Sequence, residues 1–386
     1  MNDSMDSHIV PPPPTGSVSA SRRGLVIALP ILTLSWLVLF TIVVLAAFRI
    51  DRYEIAPGDA MAVSPRIAFA ASDDGDVPPR FEPDEGIHFV TALGGQLSIL
   101  DAILGWLDPY VQVDTFKERF GDQTPEQNRQ VGFQSMVTSK QIAQFVALQR
   151  LGQPVTLVDG VAQVADVVCD GAPETNSACE KLSAGDVIVA VNGNPIPTLS
   201  ALLQELAKPG YAAGQVVTVS VISDADFDGS IDSSKSTDVA IELMSSDDGT
   251  RAIIGIVPAD TRELDLPFDV RISTTDIGGP SAGLAFTLSL LDELTEGDLM
   301  GNGRVAATGT IRQDGSVGAI GALEQKAIAV KRSGVSLFLV PSEQSDEEIA
   351  KARRAAGPGV TIVTVSNLDE ALEALRANGG DPLPAG

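Results

Sequence analysis

The chain has 386 residues, 44% of them hydrophobic, and a formal net charge of −25. That length accommodates two domains of ordinary size, each with its own core. A balance this acidic excludes nucleic-acid binding and electrostatic attachment to anionic lipid as the main business of the chain.

Residues 1–23 form a polar tail with a Pro11–Pro14 run and no apolar periodicity, which predicts a disordered cytoplasmic segment. From Gly24 to Phe48 there are 25 residues without a charge, bracketed by Arg22-Arg23 and Arg49. A membrane-crossing helix needs about 20 apolar residues, so residues 24–48 are expected to span. The run is too long for the apolar part of a cleaved signal peptide. It reads as a signal anchor, with clipping near Ala46-Ala47 as the alternative. Arg22 and Arg23 balance Arg49 and Arg52, so flanking charge does not orient the span. The acidic bulk, the lack of a second span and the cysteine pair place the remainder outside the cytoplasm. Residues 49–84 carry Pro and Asp-Gly signals with little periodicity and read as a linker or stalk.

Residues 85–152 open the globular part. "GIHFVTALGGQLSILDAILGWL" predicts a strand, a Gly-Gly turn, a second strand and a helix. "SKQIAQFVALQRLG" predicts an amphipathic helix, with Ile142, Phe145, Val146 and Leu148 on one face and Gly152 as its stop.

Within residues 153–247, "GVAQVADV" and "SAGDVIVAVNGNPI" alternate like strands, and "TLSALLQELAKPG" follows as a helix. Two further strands are joined by an acidic loop. This order, with Leu182–Ile188 followed by Val191-Asn192-Gly193, resembles a bacterial PDZ domain. The resemblance implies a groove that accepts an extended peptide by strand addition, with Val161 and Val164 as candidate contacts. The alternative is a small β-rich domain without a ligand. Cys169 and Cys179 lie ten apart with no CxxC and no nearby histidine, which excludes a zinc site. They form a disulfide in an oxidising compartment or stay as two free thiols. Asp224, Asp226, Asp228 and Asp232, with Gly229, follow the start of a Ca²⁺ loop, but Lys235 stands where the bidentate Glu belongs. The loop reads as an acidic hairpin or as a Ca²⁺ site, and no other cofactor is expected.

Residues 248–378 alternate strand and helix, the pattern of a compact α/β domain, and 379–386 form a tail. In "DIGGPSAGLAFTLSLLDEL" one hydroxyl, Ser281, sits among small residues where an apolar helix begins. A serine needs a base to become a nucleophile. His8 lies before the membrane span, so a histidine triad would rest on His88 alone. After residue 246 the lysines are Lys326, Lys331 and Lys351. Lys326 borders the stripe Leu323, Ala327 and Val330, whereas Lys331 sits at the helix C-terminus, where cations project to solvent. Burial would lower the Lys326 pKa and make it a base.

Gly279-Pro280-Ser281-Ala282-Gly283, Thr308-Gly309-Thr310 and Gly321-Ala322-Leu323-Glu324-Gln325-Lys326 resemble the motifs of the Lon-type serine–lysine proteolytic domain. The resemblance implies Ser281 as nucleophile, Lys326 as general base and Thr308 as the residue orienting Lys326. Backbone N–H groups of Gly279, Ala282 and Gly283 at the helix start are the candidate oxyanion donors. Two positions depart from the family pattern. Ala322 replaces a glycine, and Gly278 stands where many members carry Asp, the nearest acid being Asp276. The early strands and the helix near residue 140 also resemble this domain. The expected fold is therefore an α/β (α+β) Lon-type domain with an inserted PDZ domain after one transmembrane helix. That combination resembles the membrane-anchored PDZ–Lon proteases of Gram-positive bacteria, including actinobacteria. It implies endopeptidase action on extracytoplasmic or membrane-adjacent proteins, and a hexameric ring as one possible assembly. No GxxxxGK[ST] occurs, so no ATP-driven step is expected. The competing reading is a catalytically inactive, membrane-tethered PDZ module that binds or chaperones a partner.

Overall fold

The computed structural model describes residues 22–72, 76–83, 85–105, 108–120, 125–169, 171–246, 251–259, 261–274 and 277–384. The tail expected to be disordered lies almost wholly outside this set, as does Asp276.

Helix α1 (Arg22–Ala47) is unbroken by Pro30, which sits in its N-terminal part. Its stretch Ala28–Ala47 has a mean hydropathy of 2.5 and none of it is buried, so it is long and apolar enough to cross a membrane. No stalk follows. Strand β1 (Arg49–Ala62) begins two residues after the helix. The Phe48 N–H donates to the Val44 carbonyl and the Ile99 N–H to the Phe48 carbonyl, fastening helix end to sheet. The reading of 49–84 as a linker is thus corrected for its first half. Local sequence hid this strand because its partner lies far along the chain, and because Pro57 and Gly58 fall at a shift of register between Pro57 and Ala60.

That partner is β2 (His88–Ser98), antiparallel to β1. It runs straight through Gly94 and Gly95, where a turn was expected. A Cβ on Gly94 would lie 2.7 Å from Tyr53 Cε1, so this glycine admits a cross-strand ring. Strand β3 (Gln112–Asp114) pairs with the other edge of β1. Helix α2 (Pro125–Arg150) then crosses the body. It buries Val146 and Leu148, with Ile142 and Phe145 packed alongside, as the periodicity predicts.

Between α2 and the Ser281 segment the chain builds a second, antiparallel sheet. Its main strands are β4 (Ala162–Val167), β5 (Val187–Val191), β6 (Val216–Ile222), β7 (Thr237–Glu242) and β8 (Ile256–Pro258), in the order β7-β6-β5-β4-β8. Helix α3 (Leu199–Leu206) packs Leu202 against Val164, Ile188 and Val219 of this sheet. The unit extends to Pro258, past the expected boundary at 247, because β8 returns to pair with β4.

The chain then completes the first sheet. Helix α4 (Gly283–Leu294) is followed by β9 (Val305–Ala307), α5 (Leu323–Arg332), β10 (Leu337–Pro341), α6 (Asp346–Ala356), β11 (Thr361–Val365) and α7 (Leu368–Ala377). The order β11-β10-β9-β2-β1-β3 is parallel from β11 to β2 and antiparallel beyond. Successive side chains of a strand face opposite sides. Ala307 and Leu339 join α2 and α4 in one core, whereas Ala306, Phe338 and Val340 join α5 and α6 in the other. Eleven of the 12 residues of α4 are buried, which accounts for its nearly continuous apolar sequence.

Candidate active site

Ser281 occupies a single 3₁₀ turn, Pro280–Ala282, at the entrance to α4. Gly279 enters it at φ +93°, a conformation open to glycine. Pro280 fits the first position of the turn because its missing N–H has no partner to lose there. Four hydrogen bonds hold the turn. Ser281's carbonyl accepts from the Gly309 N–H at 2.8 Å and from the Thr308 hydroxyl at 3.1 Å. Pro280's carbonyl accepts from the Ser139 hydroxyl at 3.0 Å, and the Gly279 N–H donates to the Gly132 carbonyl at 2.7 Å.

Lys326 enters from the inward face of α5, one turn after Leu323, and is only 4% exposed. Its Nζ lies 2.7 Å from Ser281 Oγ and 3.4 Å from Thr308 Oγ1. No carboxylate pairs with it among the described residues. Burial alone pulls its pKa from the ordinary lysine value down to about 7. A neutral amine at this distance can accept the serine proton. His88 is buried on β2, and burial pushes its imidazole pKa down. No hydrogen bond joins it to Ser281 among the described residues.

The oxyanion set needs correction. The Gly279 N–H is engaged by Gly132, and the Gly283 N–H donates to Pro280's carbonyl within the turn. Of the three expected donors, only Ala282 stays a candidate. Sequence reasoning also missed Gly132 and Ser139 on α2. Nothing in a helix sequence marks which polar face residue will meet a turn some 140 positions later. Gly278 also meets α2: a Cβ there would lie 3.1 Å from the carbonyl carbon of Gly132, so the helix would have to give by a few tenths of an ångström.

The second departure has a measurable consequence. Ala322 caps α5 at φ +59°, ψ +38°, the left-handed region. An L side chain there costs about 1 kcal/mol relative to glycine. Ala322→Gly is expected to stabilise the fold by roughly that amount, less the extra freedom glycine gives the unfolded chain. Chemical denaturation of the two proteins in the same detergent measures the difference.

The remaining sequence candidates lie elsewhere. Cys169 and Cys179 are joined in a disulfide. Val164 is 1% exposed, in the core of the second sheet, and β4 is paired on both edges, with β5 and with β8. Val164 therefore cannot receive an added strand, and Val161, just before β4, has its carbonyl engaged by the Thr261 hydroxyl. The edge strands of this sheet are β7 and β8, and β8 faces α3 across a cavity of about 460 Å³. The carboxylates of the acidic loop do not converge. Asp228 pairs with the Lys235 ammonium at 2.8 Å, Asp232 caps a short turn through Ser234, and Asp226 accepts from Ser223. Among the described residues no group of three potential ligands could hold a metal ion. The cation at position 235 takes the place that the last carboxylate would need.

Residues 254–377 match the model of the Lon protease (S16) C-terminal proteolytic domain. The chain carries a Lon-family proteolytic domain. Two curated Lon proteases show the extent of the likeness. That of Buchnera aphidicola is 35% identical over 116 residues, covering 30% of this chain and 14% of that protein. Lon protease 1 of Bacillus subtilis is 30% identical over 120 residues, covering 31% and 15%. The match spans about one-seventh of those proteins. Among solved structures, the PDZ domain of an SdrC-like protein from Listeria monocytogenes is 20% identical, covering 26% of this chain and 88% of that one. Its TM-score of 0.19 is too low to carry an argument. The Lon-family match takes in Ser281, Thr308 and Lys326, and it begins at residue 254, two residues before β8.

Proposed function

We propose that this chain is a membrane-tethered serine endopeptidase in which Ser281 attacks the peptide carbonyl and Lys326 moves the proton. The observation that carries this reading is a buried lysine amine, without a carboxylate partner among the described residues, 2.7 Å from the hydroxyl of Ser281. As the Oγ–C bond forms, the hydroxyl proton passes to Nζ. The ammonium then gives it to the leaving amine as the C–N bond breaks, and water repeats the sequence to release the acyl group. Thr308 is a positioning residue that holds both the Ser281 carbonyl and the lysine.

The α1 span supports single-pass attachment. The Cys169–Cys179 disulfide favours an oxidising compartment for the body and so an extracytoplasmic address. The second sheet acts as a PDZ-like capture unit, its peptide groove lying between α3 and β8 rather than along β4. Because the sequence has no phosphate-binding loop, substrates are polypeptides already unfolded or flexible. Purified protein in detergent is therefore expected to cleave an unfolded model protein equally well with and without ATP–Mg²⁺. No cleavage under either condition, or cleavage only with nucleotide, refutes the proposal.

A further inference from the structure

Three cavities follow one another from the second sheet to the nucleophile. The first, about 460 Å³, lies between Leu203 and Leu206 of α3 and Ile254 and Ile256 beside and on β8. It also touches Leu199 and Pro258. The second, about 180 Å³, starts on those same two residues and ends on Ser135 and Thr138 of α2. The third, about 220 Å³, shares Ser135 and Thr138 and reaches Pro280 and Ile311, next to Ser281. Each cavity has two wall residues in common with the next, so the three lie in succession.

The direction of the path is set by β8. On the β4 side, the Gly255 carbonyl accepts from Val168 and the Ala259 N–H donates to Gln163. Ile256 stands opposite Val167, beside the Gly255 carbonyl that faces β4 and ahead of the register shift between Val257 and Pro258, so in an antiparallel ladder its own backbone groups turn to the opposite side. Ile256 therefore offers them to the first cavity. An added antiparallel strand would end near Ile254 and Arg251, and its earlier residues would leave past Pro258, where the missing N–H stops the ladder. Arg251 lines that far end of the cavity and brings a positive charge to it. A peptide laid this way heads toward Ser281 with its N-terminal side.

We infer that the three cavities form one track for a single extended substrate segment. Its C-terminal carboxylate lies beside Arg251, its last residues pair with β8, and its upstream residues cross Ser135 and Thr138 to Ser281. The scissile bond is then chosen by counting back from the substrate's C-terminus, not by local sequence alone. This rests on the reading of Ser281 as nucleophile.

The test uses the full chain in detergent and an unfolded polypeptide ending in a free, apolar C-terminal residue. Variants of the polypeptide carry short Gly-Ser insertions at successive positions upstream of the last residues, and cut sites are mapped by mass spectrometry. A short peptide blocked at both ends reports turnover independent of the terminus. The expected result is a cut at a constant number of residues from the end, so that each insertion moves the cut through the sequence. Amidating the terminus should lower kcat/KM by roughly tenfold, the worth of one charge-assisted contact. Leu203→Glu should scatter the cuts, and because Leu203 is 50% exposed the change does not threaten the fold. Cuts that stay at one sequence whatever the insertion, with the short peptide still turned over, overturn the track and leave the nucleophile assignment intact. Failure to cut any substrate, the short peptide included, overturns both.

Discussion

Lys326→Met is expected to reduce kcat/KM for an unfolded substrate by roughly 10³-fold, within the range that a lost general base produces. Ser281→Ala is expected to abolish covalent turnover. The lysine result is the more informative, because methionine keeps the length and apolar stem while deleting only the amine. The amine is buried without a charge partner, so its removal relieves desolvation and should leave the folded protein no less stable. Loss of activity with an unchanged or raised melting temperature is therefore the expected signature. Lys326→Arg should not restore activity, since a guanidinium stays protonated at any working pH. The double variant should be no worse than Ser281→Ala, as two groups acting in one step are not additive. Turnover in Lys326→Met near the parental rate would remove the amine from the mechanism, and an unfolded variant would show up in the same melting curve.

The approach of Lys326 to Ser281 was legible because it is written locally. Pro280-Ser281-Ala282-Gly283 encodes a turn into a buried helix, and Leu323, Ala327 and Val330 mark the inward face on which Lys326 falls. What stayed hidden depends on segments that meet from far apart. Strand β1 has Pro57 and Gly58 in its middle, and only pairing with β2 reveals it as part of the sheet. The PDZ resemblance put the candidate peptide contacts at Val161 and Val164, on and beside β4. Which edge of a strand stays open is decided by the chain that comes back to it. Here that chain is β8, some 90 residues later. Of the oxyanion donors, Gly279 failed for the same reason, its N–H being taken by a carbonyl on α2, whereas the Gly283 N–H is taken locally by Pro280's carbonyl.

Proteolytic activity should fall on acidification with a limb near pH 7, by about tenfold per pH unit below it, and should reach a plateau on the alkaline side. The sign follows from the base. Below about pH 7 the Lys326 amine is protonated and cannot accept the Ser281 proton; above it the amine is neutral and ready. The same group sets a stability slope that can be measured without substrate. In the unfolded chain a lysine titrates near 10.4, so between pH 7 and that value the unfolded state binds more protons than the folded one. Stability contributed by this site therefore rises with pH across that window, and the cost of burying a charged amine is fully present below it. Asp292, buried at the far end of α4, gives the opposite slope. Burial raises its pKa to about 6, so its folded form holds the proton longer and stability falls as pH climbs from 3.8 to 6. The two windows do not overlap, which lets one variant separate them. Lys326→Met should remove this amine's share of the alkaline slope, leaving that of Lys140, whose pKa burial also lowers, and leaving the acidic slope in place. If the kinetic limb and the alkaline slope share a midpoint in the parent, both report one amine. A kinetic limb far below 7 with the slope unchanged would place the base on another group.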